Sequence, residues 1–310
     1  MQKLVKEENL PLVTVGIVTY NSAKTILETL ESAKSQTYQN IELVISDDAS
    51  TDNTIELCRE WIEKNADRFV RTEILTVSVN TGIPGNCNRE IAAARGEYLK
   101  SIAGDDILLP NCVEDYVAFM QENPEAQIAF SRVKEFCRNA SEREFFELHP
   151  DEKNRAYFKK SAWKQFEAFV KEKFWVPAPS CFVKTALLKQ NPYNEYYPAM
   201  EDLPQWCKLT RAGTRLYFMD KLTVLYRVNS GSVSTTQNEN FYSVPFMESR
   251  KLFFICELRN YLKELDEKKL IRKYEREFLL FDFVMFAFKN KKTGWTSFWK
   301  HIVSRILKML

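Results

Sequence analysis

Two histidines, His149 and His301, serve the whole chain of 310 residues, which leaves little material for a histidine-ligated metal or a Ser-His-Asp triad. The seven cysteines, Cys58, Cys87, Cys112, Cys137, Cys181, Cys207 and Cys256, are odd in number and include no C-x-x-C pair. Neither a disulfide framework nor a zinc cluster is indicated, a reducing cytosol is the expected compartment, and the cysteines read as small buried apolar residues. No G-x-G-x-x-G follows a predicted strand, and after the first strand, where a nucleotidyltransferase would place a glycine-rich phosphate loop, the chain reads Thr19-Tyr20-Asn21-Ser22. No run is long and apolar enough to span a bilayer, and the charged residues 1–10 lack the apolar stretch of a signal peptide, so the protein is expected inside the cell. Neither sign of charge dominates: 44 Lys and Arg against 42 Asp and Glu leave a net +2, which argues against a nucleic-acid partner. Carboxylates are left to do the chemistry.

β-Branched and apolar stretches at 13–19, 41–46, 74–79 and 98–102 read as buried strands. Helical patterns lie between them: one from Ser22 to about Gln36, one capped by Thr51 or Asp52 and carrying Ile55, Leu57 and Trp61, and a shorter one at 86–94. This alternation predicts an α/β fold with a mainly parallel sheet flanked by helices, whose functional residues gather beyond the carboxyl ends of the strands. Those ends carry polar clusters: Tyr20-Asn21, then Asp47-Asp48-Ala49-Ser50, then Gly104-Asp105-Asp106. One acidic pair at a strand end is commonly a solvated turn or a cap. Two such pairs at one edge of one sheet repel unless a cation or a set of donors lies between them. Beyond Pro110 the sequence predicts a helix over 112–122, a short strand at 128–130, charged loops and short helices through Lys160, and an extended segment at 175–183. A helix opened by Glu201-Asp202 carries Trp206 and Leu209 and ends near Gly213, a strand covers 222–228, and the chain beyond Gln237 is helical and aromatic.

Residues 11–110 resemble the catalytic domain of inverting family 2 glycosyltransferases, which have the GT-A fold. The likeness rests on Val-Gly-Ile-Val-Thr-Tyr-Asn at 15–21, Ser-Gln-Thr-Tyr at 35–38, Glu-Leu-Val-Ile-Ser-Asp-Asp-Ala-Ser-Thr-Asp at 42–52, Asn-Thr-Gly at 80–82 and Ala-Arg-Gly-Glu-Tyr-Leu at 94–99. Glu201-Asp202-Leu-Pro-Gln-Trp206 looks like the family's acidic acceptor-side motif, and Tyr226-Arg227-Val-Asn-Ser-Gly-Ser232 like its closing motif. The resemblance implies a catalytic domain over 1–235, with a nucleotide-sugar half at about 10–110 and an acceptor half at about 111–235, followed by a helical, aromatic and basic region at 236–310. By it, Thr19, Tyr20 and Asp48 line the nucleotide pocket, Tyr20 against the base and Asp48 accepting from its imide nitrogen. Asp105 and Asp106 stand at the Asp-x-Asp signature, one on the ribose and one on Mg²⁺ or Mn²⁺ that bridges the donor diphosphate. Two positions depart from the family pattern: Ala103 replaces the first acid of the signature, and Asn229 stands where a histidine is common.

The implied reaction moves a sugar from a nucleotide diphosphate sugar, UDP-linked by default, to a hydroxyl of a glycan or lipid-linked acceptor, with inversion. Asp202 is the candidate base, Glu201 orients it or holds acceptor hydroxyls, and Trp206 and Arg227 are weaker candidates for acceptor and phosphate contacts. On pattern alone Glu201-Asp202 is equally a helix cap, Arg227 a structural ion pair, and Trp163, Trp175 and Trp206 core. A protein of the same fold that binds a nucleotide sugar or glycan without transferring it is the alternative, kept open by Ala103 and Asn229. After Asp282 the chain has no acidic residue, while Trp295, Trp299, Ile302, Val303, Ile306 and Leu310 recur at helical spacing among Lys289, Lys291, Lys292, Lys300, Arg305 and Lys308. Such a stripe either lies in a membrane interface, at the inner face of the cell membrane, or packs on protein.

Overall fold

The computed structural model of the protein describes residues 10–137, 144–228 and 239–309. The closing motif from Asn229 to Ser232, residues 1–9 and Leu310 lie outside the described residues. A parallel block in the order β3-β2-β1-β4 forms the first half of the sheet, from β1 (Val13–Thr19), β2 (Ile41–Asp47), β3 (Arg71–Thr76) and β4 (Tyr98–Ala103). Its crossovers are the helices α1 (Ile26–Lys34), α2 (Thr54–Asn65) and α3 (Gly82–Ala93). The order continues β8-β6-β9-β5, with β7 beside β6, and here the sheet is mixed. Strand β5 (Ile107–Leu108) runs antiparallel to β9 (Tyr217–Arg227), and β8 (Phe182–Lys184) runs antiparallel to both β4 and β6 (Ile128–Cys137). The long pair β6 and β9 is parallel. Helices α4 (Cys112–Glu122), α5 (Glu152–Phe158), α6 (Ala162–Val170), α7 (Thr185–Gln190) and α8 (Asp202–Arg211) complete this half.

Alternate residues of one strand enter different cores, as the pleat requires. Val13, Val15 and Ile17 of β1 face Ile26 and Leu30 of α1, Trp61 of α2 and Tyr116 of α4. On the opposite face Leu99, Ile128 and Phe130 join Ile91, Phe166 and Trp206. That second core also takes in Phe253, Phe254, Leu258, Leu262, Tyr274, Phe278 and Phe281. They come from α9 (Val244–Phe253), a π-helical turn at Phe254–Leu258 and α11 (Lys268–Phe288), with the short α10 (Arg259–Glu264) between; α12 (Gly294–Met309) follows. The C-terminal helices therefore share a core with the mixed half of the sheet.

Several sequence expectations are corrected here. The strand expected at 74–79 starts at Arg71 and is only partly buried, and Val79 is exposed, because β3 is the sheet edge and pairs with β2 alone. The short strand at 128–130 is ten residues long and is followed by β7 (Glu144–His149), which the charge of that stretch concealed. The extended reading of 175–183 holds only at its end, since Ala178–Ser180 is a 3-10 turn. Ser22 does not cap α1 with its side chain, and Cys256 is exposed rather than buried.

Candidate active site

The register of the parallel block aligns Thr19 with Asp47 and Val18 with Ala103. The segments after β1, β2 and β4 therefore leave one edge together, and two non-glycine residues take left-handed backbone there, Asn21 (φ 51°) and Ala49 (φ 65°). Asn21 tolerates this conformation and uses it: its N–H donates to Ser50 Oγ at 2.8 Å, and its side-chain oxygen accepts from the Thr51 N–H at 2.8 Å. Tyr20, between the tied residues, is half exposed at the rim, while Thr19 is buried with its hydroxyl unpartnered.

The first acidic pair is neutralised by donors. Asp47 accepts from the Ser50 N–H at 2.9 Å and from the Ser50 hydroxyl. Asp48, 2 % exposed, accepts from the Thr81 N–H, the Thr81 hydroxyl at 2.7 Å, the Gly82 N–H at 2.9 Å and Arg89 Nη2 at 2.7 Å. Burial would raise its carboxyl, but the bonds from Thr81 and the Arg89 guanidinium outweigh it and hold Asp48 below the ordinary carboxylate range. Those four donors match the roughly four acceptor positions of a carboxylate. In this arrangement the base contact expected of Asp48 finds no free lone pair. The sequence showed Asn-Thr-Gly at 80–82 as a matching string without a role; Arg89 gave no signal at all.

The second pair is bound differently. Asp106 is fully buried; its Oδ1 accepts from the Arg227 N–H at 2.8 Å, and its Oδ2 has no partner. Burial, then the neighbouring Asp105, push its carboxyl well above the usual range. The Arg227 side chain donates from Nε to the Asp105 carbonyl at 2.7 Å, pairs with Glu28 at 3.1 Å and lies over the Phe136 ring at 4.5 Å. With 2 % of that side chain exposed, Arg227 braces the acidic loop from beneath, and the phosphate contact expected of it is not open. Trp206 is also corrected: 2 % exposed and edge-on to Phe130 at 5.2 Å, it offers no ring face to an acceptor sugar.

Glu201 and Asp202 open α8 as expected, both partly exposed. Burial and the charge of Asp202 raise Glu201 to about 8, and burial raises Asp202 too. The start of α3 ties this pair to the strand edge. Asn86 Nδ2 donates to the Thr19 carbonyl at 3.1 Å, the Ile83 N–H donates to the Pro198 carbonyl at 3.0 Å, and the thiol of Cys87 is raised by its burial and then by the charge of Glu201. From the other side, the Ala199 N–H donates to Ser249 Oγ of α9 at 3.0 Å, and the Tyr197 hydroxyl to Glu257 at 2.8 Å.

Gly82 is the joint between the halves. Its φ is +82°, its N–H holds Asp48, and a Cβ there would lie 2.7 Å from the Pro198 carbonyl oxygen. Gly82→Ala is expected to lower turnover by at least ~10-fold, since small displacements of positioning groups are costly. Steady-state kinetics with a melting curve checks this, and an alanine variant with wild-type kcat/KM would contradict the joint.

Among the described residues, no group of three or more His, Cys, Asp or Glu could hold a metal ion. Two adjacent carboxylates, one with an orphaned buried oxygen, are what a cation shared with a phosphate would need, because the phosphate and water complete the shell. A family model, glycosyl transferase family 2, matches residues 14–175. The chain belongs to that family. Its relatives include the putative glycosyltransferase EpsE of Bacillus subtilis, 32 % identical over 118 residues, which are 38 % of this chain and 41 % of EpsE. Another is the UDP-Glc:α-D-GlcNAc-diphosphoundecaprenol β-1,3-glucosyltransferase WfaP of Escherichia coli, 36 % identical over 36 % of this chain and 41 % of WfaP. The chain thus spans less than half the length of either relative. In structure it is similar to residues 1–349 of TarS of S. aureus, solved with UDP-GlcNAc, at a TM-score of 0.59 and 22 % identity over 89 % of this chain and 76 % of that one. The family 2 chain thus has the GT-A fold, α/β with a helical C-terminal region.

Proposed function

We propose that this chain transfers a sugar from a UDP-sugar to a hydroxyl of a lipid-linked glycan, with inversion. The reading is carried by the buried Asp106, with its unpartnered Oδ2, standing beside Asp105 at the edge that also holds Thr19, Tyr20 and Asp48. WfaP, whose printed activity uses UDP-Glc and a diphosphoundecaprenol acceptor, and TarS with UDP-GlcNAc support the donor and acceptor classes. The exposed face of Tyr20 takes the base. The imide N–H replaces a donor now on Asp48, the Thr81 hydroxyl being the one that can rotate away. Asp105 and Asp106 would hold Mg²⁺ or Mn²⁺, which would supply positive charge to offset that developing on the leaving group.

Asp202 accepts the proton of the acceptor hydroxyl as its oxygen bonds to the anomeric carbon. The carbon–oxygen bond to the diphosphate breaks with its electron pair leaving on UDP. Attack from the face opposite the diphosphate inverts the configuration, and Glu201 orients the acceptor. Because burial raises both carboxyls, loss of a proton from the Glu201-Asp202 pair governs the acid limb of the rate. The sign follows from the base: kcat/KM falls as pH falls, with the limb above the ordinary carboxylate range because burial raises Asp202. The test is UDP release from UDP-sugars with a polyprenyl-diphosphate sugar acceptor across pH, with the anomeric configuration of the product read by NMR. A retained configuration, or an acid limb within the ordinary carboxylate range, would sink the mechanism.

A further inference from the structure

The geometry points to the α11–α12 hairpin as a docking surface for an anionic membrane. One side of α12 is fastened to the protein: Thr296 is buried, Lys300 lies 4.4 Å over the Tyr242 ring, and Arg276 of α11 donates to the Lys308 carbonyl at 3.3 Å. Part of the apolar stripe read from the sequence is left outside that contact, although Trp295 meets Phe288 of α11 edge-on at 5.9 Å and Ile302 and Val303 are half-buried. Trp295 is 66 % exposed and Phe298 60 %, with Trp299 and Ile306 also exposed, and Phe286 near the end of α11 is 90 % exposed. Packing on the rest of the chain therefore accounts for only part of the stripe.

Charge selects the occupant. Lys289, Lys291 and Lys292 stand exposed at the turn into α12, Arg305 and Lys308 stand exposed near its end, and no acidic residue follows Asp282. Exposed aromatics bracketed along the helix by cations suit an interface of apolar chains beneath anionic headgroups, with the helix lying in the plane of the surface. A second copy is the weaker occupant, because a two-fold contact would set this basic face against itself. No described helix is long and apolar enough to cross a membrane, so the contact is a lateral one. The inference adds the surface by which the chain meets a lipid-linked acceptor. It rests on the proposed function only in that choice of acceptor.

The experiment pellets the full chain with vesicles of phosphatidylcholine, with and without phosphatidylglycerol, in the absence of donor and acceptor, and follows tryptophan emission. The wild type is expected to pellet with the anionic vesicles alone, to release in high salt and to shift its emission to the blue. Trp295→Ser/Phe298→Ser/Trp299→Ser is expected to bind at least ~10-fold more weakly, from the apolar area withdrawn. Arg305→Glu/Lys308→Glu, which leaves the apolar stripe intact, is expected to lose the preference for anionic lipid. A wild type that stays in the supernatant, or variants that pellet like it, would overturn the docking surface, and a dimer lost in the triple variant would name a second copy as the occupant. UDP titration of the same variants keeps this outcome separate from failure of the donor site, because vesicle binding uses no nucleotide.

Discussion

Asp202→Asn is expected to lower kcat by ~10²–10⁴-fold, the span for loss of a general base, and to leave UDP affinity within about twofold of wild type, since uniform donor binding is untouched. The amide keeps the shape and the acceptor oxygen that meets the Leu203 N–H, so α8 starts as before. What it loses is the capacity to take a proton from the acceptor hydroxyl. It also removes the charge that helps hold Glu201 near 8, so Glu201 ionises at lower pH in the variant. Single-turnover kinetics beside UDP titration separate these effects. An Asp202→Asn enzyme with full turnover would move the base to another residue, Glu201 first.

Asp106→Ala is expected to abolish the proposed metal dependence of donor binding and to lower kcat/KM by ~10²-fold or more, the scale of removing one preorganised contact to developing charge. The variant is expected to keep its fold. Deleting a buried carboxyl with one unpartnered oxygen relieves a desolvation penalty, while the Arg227 N–H loses its acceptor, so the two changes oppose each other. Metal titration followed by manganese electron paramagnetic resonance, with and without UDP, reads the site apart from turnover. Unchanged manganese binding in the variant would remove Asp106 from the metal site.

The parallel half of the fold was legible because its strands are short β-branched runs ended by polar clusters, and those clusters mark the edge where the carboxylates meet. The mixed half was not. Strand β7 lies in a charged stretch without alternation, and β6 pairs with β8 at its start and with β7 near its end, a choice set by tertiary packing rather than by local pattern. Within the site, residue types announced Asp48, Asp105 and Asp106 but not what each carboxylate is bonded to. Asp48 is saturated by Thr81, Gly82 and Arg89, more than thirty positions away, and Arg227 is fixed by Glu28 across the sheet. Long-range partners leave no local signature. The same reason hid the burial of Trp206, whose spacing on α8 fits a core face as well as a pocket.

Calorimetric titration of the full chain with UDP, with and without Mn²⁺, is the first test of the donor site proposed at the strand edge. UDP binding is expected to strengthen by at least ~10-fold when Mn²⁺ is present, since Asp105 and Asp106 would hold the cation. That gain is expected to shrink as pH falls, because the raised Asp106 carboxyl must lose its proton to hold the metal. Binding of equal strength with and without Mn²⁺, or no UDP binding in either case, would contradict that site.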